Sequence, residues 1–554
     1  MVTTAKLSSK SPERAQRSPG KDHRSGGLKH VSTPQIVRSW FLPMAVVVVS
    51  AFLFTTAFYV LDVVLLKGTV TGFFGVVDHY LAFTPELITD ALPALGTTIV
   101  AALGIVLTVI AIIVQLSAER YTGVAMMFLR DPVHIAILSF YVVSSLCALW
   151  LSVTLRTDFV PLGLMLLVMT LASAGLAMML PYFAYTFWFL EPGNIIARLR
   201  MHATRISQLG MAATSSSEIA QSQARLIERM EEITDIANNS IEGQDKIVTG
   251  HAVDALRDFV IDYAADKPRD SHDWYRIADG LKGNLDFVGM DAELMSELEA
   301  RRLWVEWKML HEYAGIYEQA LGSMEDVNSL IAANTRNLGE VAASTVDEDL
   351  IRMVCRFMNF FMGSAIDAGH PRTCCNVLLQ YRIFLAELLR RGLSAAACEG
   401  VGFMRYYGQI AFEKELPTVT ETVAYDIAAL CRHARQHQLR GEVRILRLLL
   451  DLDSEAPIEG YQQQRSLRGV RSAQTNLALY YMTIGDQDKA RMIADDMREM
   501  PLHLREAVRE DLTSSAVPRS WEIVDRGRNL HFLTEEEQGQ VDTFVGWLAQ
   551  DMRQ

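Results

Sequence analysis

Charged residues are absent from three long stretches of the chain. No Lys, Arg, Asp or Glu occurs among the 28 residues between Asp90 and Glu119, the 24 between Asp131 and Arg156, or the 32 between Asp158 and Glu191. A helix of about 20 apolar residues crosses a bilayer. A further apolar run begins at Trp40, an expected interfacial anchor, and is interrupted only by Asp62 near its far end. The pattern predicts four transmembrane helices, at about 40–66, 91–116, 133–155 and 160–181. Pro181 predicts the end of the fourth. The aromatic stretch after it, YFAYTFWFL, suits the headgroup level, and Glu191-Pro192-Gly193-Asn194 ends the helix.

Past that point the apolar positions fall into helical spacing. Ile219, Leu226, Ile227, Met230, Ile233, Ile236 and Ala237 line one face of a long helix. Ser215 with Glu218 predicts a capping box at its start. Pro268 and Asn284 break the pattern. Residues 291–340 read as one or two long helices around Leu294, Leu298, Leu303, Trp307, Leu310, Tyr317 and Leu321, and Thr345 with Glu348 predicts the next cap. His370-Pro371, Gly392, Leu416-Pro417 and Gly441 then divide the chain every 20–25 residues. Alternating strand patterns are absent. The fold class predicted is a membrane all-α protein: four transmembrane helices, a juxtamembrane helical linker over 191–250, and a cytoplasmic helical domain over 251–554. Helices of this length joined by short turns predict helical hairpins stacked as in an α-solenoid.

Charge orients this arrangement. Residues 1–39 carry a net +6, rich in Ser, Gly and Pro, and predict a disordered basic tail. Residues 40–200 carry −2, and the remainder −17 of the total −13. The loop 67–90 holds one Lys, whereas the turn between the second and third spans holds Arg120 and Arg130, and Arg198, Arg200 and Arg205 follow the fourth. By the positive-inside rule both termini are expected on the cytoplasmic side of the membrane. The acidic excess argues against nucleic-acid binding. The six cysteines form no C-x-x-C, as expected of a reducing compartment.

Two segments carry resemblances. In TVIAIIVQLSAERYTGVAMMFLRDP, the residues Gln115, Ser117, Arg120, Arg130 and Asp131 take the places of a hairpin motif, and the string is similar to one in a bacterial family of predicted membrane proteins of unknown function. That resemblance implies location and no activity. Residues 474–501 resemble a single tetratricopeptide unit. Leu477, Ala478 and Tyr481 stand on its first helix, Gly485 at its turn, Ala490 at the close approach of its two helices, and Pro501 near its end. The resemblance implies a protein-binding surface. No Trp precedes Leu477, and Ala494 stands where an aromatic is common.

Candidate chemistry is sparse. Gln115, Ser117, Glu119 and Arg120 concentrate polarity at a membrane boundary, as a pore lining or as an interfacial hinge. Gly104, Thr108, Ala111, Ser173 and Ala177 are small enough for close helix contact. Cys431, His433 and His437 have a spacing that suits a metal, but Arg432, Arg435 and Arg440 surround them. Cys374-Cys375 lies near His370. There is no phosphate loop, dinucleotide fingerprint, zinc-protease motif or nucleophile elbow, so no catalytic or cofactor residues are assigned. The sequence favours a membrane-anchored scaffold or sensor whose helical domain binds a protein partner. The alternative is a channel or transporter subunit that homo-oligomerises through its spans.

Overall fold

The computed structural model describes residues 85–118, 124–154, 162–267, 273–453, 460–498, 502–514 and 529–550, with a few helical positions between 49 and 61. Among these residues every regular element is a helix. The contacts divide the chain into two compact units, one drawn from 1–111 and 130–188, the other from 112–129 and 189–554.

The first unit is built on most of α1 (Pro85–Ala118), on α3 (Pro132–Thr154) and on most of α4 (Leu162–Leu190), whereas the short α2 (Val124–Leu129), between α1 and α3 in the chain, belongs to the second. These three long helices are the described ones long and apolar enough to cross a membrane. The expected span at 40–66 lies largely outside the described residues. The fourth expected span is longer than 160–181, because α4 runs through Pro181 to Leu190. A proline costs one hydrogen bond and a kink, whereas ending a helix in an apolar setting would leave several backbone groups unpaired. The aromatics beyond Pro181 therefore continue the helix, with Tyr182 and Tyr185 buried.

Small residues do mediate packing here, but not the expected ones. A Cβ on Gly104 would meet nothing within 4 Å, and the hydroxyls of Thr108 and Ser173 donate back to their own helix. The apolar core instead joins Ile99, Ala148, Leu151, Met165, Val168 and Ala172. A Cβ on Gly175 would lie 3.2 Å from the Tyr141 ring, and the Tyr141 hydroxyl donates to the Gly175 carbonyl at 2.7 Å.

The long stretch of the second unit begins at Phe189, at the end of α4. Helices α5 (Pro192–Ala212), α6 (Ser216–Glu242) and α7 (Lys246–Asp266) pack on one another through Leu199, Ala203, Leu226, Met230, Ile233 and Leu256. Ser215 occupies the cap position of α6, but its side chain makes no capping bond. A 3-10 turn at Asp273–Tyr275 and α8 (Leu285–Val288) follow. Buried Gln223 organises this irregular segment, donating to the carbonyls of Trp274 and Arg276 and accepting from the Ala278 amide. The expected long helices over 291–340 are three: α9 (Ala292–Arg301), α10 (Trp304–Ala320) and α11 (Glu325–Thr345). The breaks are Arg302 and Gly322, both with left-handed backbone.

Then come α12 (Glu348–Asp367), α13 (Pro371–Arg390), α14 (Ser394–Glu413), α15 (Pro417–Gln436), α16 (Glu442–Leu450), α17 (Tyr461–Thr483), α18 (Gln487–Asp496), α19 (Leu502–Ser514), α20 (Glu535–Gln538) and α21 (Val541–Gln550). Two prolines open helices at the first helical position, where a missing N–H costs nothing. The cap of α12 is Asp347, which accepts from the Leu350 amide, and not Thr345, the last residue of α11. Packing follows a regular scheme: α7 lies on α11, α11 on α13, α13 on α15 and α15 on α17. A second series, α10 on α12, α12 on α14 and α14 on α16, packs against the first through each successive pair.

Candidate functional site

The polar residues expected at the membrane boundary are not brought together. Gln115 is exposed on α1, Ser117 lies two positions further on the same helix, and Glu119 and Arg120 lie outside the described residues. What assembles nearby in sequence is different. Asp131 caps α3 by accepting from the Val133 amide at 2.9 Å, and it also accepts from the Tyr185 hydroxyl at 3.1 Å. Buried His134 bonds the Tyr182 hydroxyl through Nδ1 at 2.8 Å, with its ring edge-on to both tyrosines. A search for formal charges passes over this group, because His and Tyr interrupt neither apolar run.

The sulfur and histidine motifs do not converge into one site. Burial pushes the Cys374 thiol up to about 12. Cys431 is fully buried, its thiol also pushed up by burial, while His433 and His437 pair ring to ring at 4.6 Å. Residues two apart on a helix point in nearly opposite directions, so Cys431 and His433 do not converge. Among the described residues, Glu231, Asp286 and Glu312 do place carboxylate oxygens within 4.8 Å of one another. The Lys308 ammonium sits among them, in contact with Asp286 and Glu312 and 3.2 Å from Glu231. The cation that this cluster needs is supplied by the chain itself.

The residues of the tetratricopeptide-like segment fall on α17 and α18. Leu477, Ala478 and Tyr481 are buried on α17, Gly485 makes the turn with φ +80°, and Ala490 is buried on α18. Helix α17 begins at Tyr461, well before the segment, and Pro501 lies outside the described residues. Because its side chain is fully buried, Ala490→Leu is expected to cost ~1–3 kcal/mol by overpacking, a loss that helix propensity cannot produce because Ala and Leu are nearly equal. Exposed Gln487→Leu is the control, expected to change stability by less than ~0.5 kcal/mol. Urea midpoints of the detergent-solubilised protein measure both. An unmoved midpoint for Ala490→Leu would refute the tight hairpin.

Among the described residues of the helical unit, a groove of about 560 Å³ opens where α12, α14 and α16 meet. Phe403, Tyr406 and Tyr407 of α14 form its wall, with Asn359 of α12 on one side and Leu448 of α16 on the other. Tyr406 is 53 % exposed although it is aromatic and helical, and Phe360 and Val443 extend the apolar surface onto the flanking helices. The buried Cys398 lies at the base, its thiol pushed up by burial and partly drawn back by Arg444.

Charge around the groove runs against the surrounding acidity. Arg444 of α16 lines the groove, and Arg405 of the wall helix α14 pairs with Asp451 at 3.3 Å. Arg444 and Arg447 are exposed on α16 and have no ion-pair partner among the described residues. Glu399 is the one acidic residue in the lining. Sequence reading passes over this wall because Phe403, Tyr406 and Tyr407 are spaced three and four apart, the same signature as a core-facing stripe. No protein-family model matches the chain, and neither a curated protein nor a solved structure matches it.

Proposed function

We propose that this protein is a membrane-anchored scaffold or sensor of the bacterial inner membrane, with four spans and both termini in the cytoplasm. Its helical unit is read as an α-solenoid-like stack ending near a tetratricopeptide-like hairpin, and its task is to hold a partner protein. The observation that carries this reading is the α12–α14–α16 groove. An aromatic-walled concavity of this size suits one or two large apolar side chains. The exposed Arg444 in its lining, with no ion-pair partner among the described residues, suits a carboxylate beside that anchor. The expected ligand is therefore an acidic segment of a partner with a Leu or aromatic anchor.

Fluorescent peptides with a central Trp or Leu flanked by Glu, and matched peptides flanked by Lys, are titrated onto the full-length protein in detergent. Only the Glu set is expected to bind. Arg444→Glu should abolish that binding, and Tyr406→Ala should weaken it about tenfold or more, as truncating an interface anchor does. Both variants should unfold at the parent urea midpoint, because both side chains are exposed. Equal binding of the two peptide sets, or indifference to both substitutions, would refute the groove as the docking site.

A further inference from the structure

Helix α5 follows the last apolar helix after a single residue, Glu191. It contains Arg198, Arg200 and Arg205 and no acidic residue, whereas residues 201–554 carry a net −17. The helix has two faces. Ile195, Ile196, Leu199, Ala203, Ser207 and Gly210 are buried. Arg200 turns toward α7, pairing with Asp258 at 3.0 Å and Asp262 at 3.4 Å. The opposite arc holds Arg198, Met201, His202, Arg205 and Leu209, spaced by three or four residues or their sums. Met201 is 45 % and Leu209 59 % exposed, and both belong to the apolar side chains that folding has left uncovered. The Arg198 guanidinium lies over the Phe189 ring at 3.8 Å, so its stem is directed along the entry to the helix.

We propose that this arc of α5 is a lipid-docking surface that rests on the anionic headgroups of the leaflet from which α4 emerges. Three features point to lipid. The arc joins basic and apolar side chains, the composition of helices that lie in a membrane interface. It is tethered to a membrane-length helix by one residue, so its local lipid concentration is high whatever its intrinsic affinity. Its charge is opposite to that of the rest of the helical unit, so an anionic surface attracts this arc and repels the remainder. Partial burial and the guanidiniums of Arg229, Arg198 and Arg205 hold the His202 imidazole below its usual range, which leaves the arginines as the attracting charges near neutral pH.

The inference rests on α4 being a membrane span, and the experiment separates the two. Full-length Leu209→Cys, in a background with Cys147 and Cys375 replaced by Ser, is labelled with acrylodan. It is placed in nanodiscs of pure phosphatidylcholine or of phosphatidylcholine with phosphatidylglycerol. Failure to enter discs of either kind would overturn the membrane reading. In the discs with phosphatidylglycerol, the label is expected to emit to the blue of its value in phosphatidylcholine and to be shielded from acrylamide, and added salt should reverse both changes. Combining Arg198→Gln with Arg205→Gln should lower the docked-to-undocked ratio about 30-fold, each arginine contributing about fivefold. A label at Tyr461, 76 % exposed on α17, should report water in every case. Incorporated protein whose 209 label is equally exposed in both lipids overturns the proposal. So does equal shielding in both lipids, which would mean that protein covers the arc.

Discussion

Lys308→Met is expected to destabilise the helical unit by about 3–5 kcal/mol, the cost of stranding buried charges whose partner has been removed. The Lys308 side chain is 1 % exposed on α10, and its ammonium meets Asp286, Glu312 and Glu231, the last at 3.2 Å. Methionine preserves most of the stem's volume, so the loss reports charge and not a cavity. The carboxylates left behind lie within 4.8 Å of one another and repel. In the parent protein His311, 3.5 Å away, and the Lys308 ammonium hold the Asp286 carboxyl down to about 2. A carboxyl depressed in the folded state stabilises the fold above its unfolded value of 3.8, and that contribution disappears as pH falls toward 2. The variant should do the reverse, because its crowded carboxyls prefer protons. The gap between the two urea midpoints should therefore be widest at neutral pH and narrow as pH falls toward about 4, where carboxyls begin to titrate. A gap that does not change with pH would mean that the lysine contributes packing alone.

The same cluster shows where sequence reading stops. Leu303, Trp307 and Leu310 mark α10 as a core helix, yet nothing local distinguishes Lys308 from a solvent-facing neighbour of Trp307. Its partner Glu231 stands 77 residues earlier in the chain. Only the packing of α6 on α10 brings them together. By contrast, Pro371, Gly392, Pro417 and Gly441 were legible as boundaries because their effects are confined to their own backbone. The three long apolar helices were legible for a similar reason, since length and absence of charge are local properties. Pro181 misled because a helix-breaking tendency of one residue is outweighed by the cost of exposing backbone in an apolar environment. The groove was illegible for a third reason. Whether Tyr406 is core or surface depends on whether a further helix covers α14, and periodicity reports a face without saying what meets it.

Gly210→Ala should destabilise the protein by about 3 kcal/mol, at the upper end of overpacking costs, although alanine is the better helix former by up to ~1 kcal/mol. A Cβ at this position of α5 would lie 2.1 Å from Cζ3 of Trp274, far inside any permissible contact. The indole has little room to retreat. It is fully buried, its Nε1 donates to the Tyr263 hydroxyl at 3.1 Å, and its ring packs on Trp304 at 5.4 Å between centroids. Its carbonyl is fixed as well, accepting from Gln223 at 2.8 Å and from the Trp304 indole at 3.1 Å. Relief must come from moving α5 away from the 273–275 turn, which opens contacts along the whole interface. Gly315 on α10 is the counterpart: it is exposed, and a Cβ there meets nothing within 4 Å. Gly315→Ala should raise stability by about 0.5–1 kcal/mol, so the two identical substitutions differ in sign. Trp274→Leu shortens the ring that Gly210 accommodates, and in its presence Gly210→Ala should lose much of its cost, a coupling that a double-mutant cycle measures. If Gly210→Ala instead behaves like Gly315→Ala, α5 does not rest on Trp274, and the packing of α5, α6 and α7 is refuted with it.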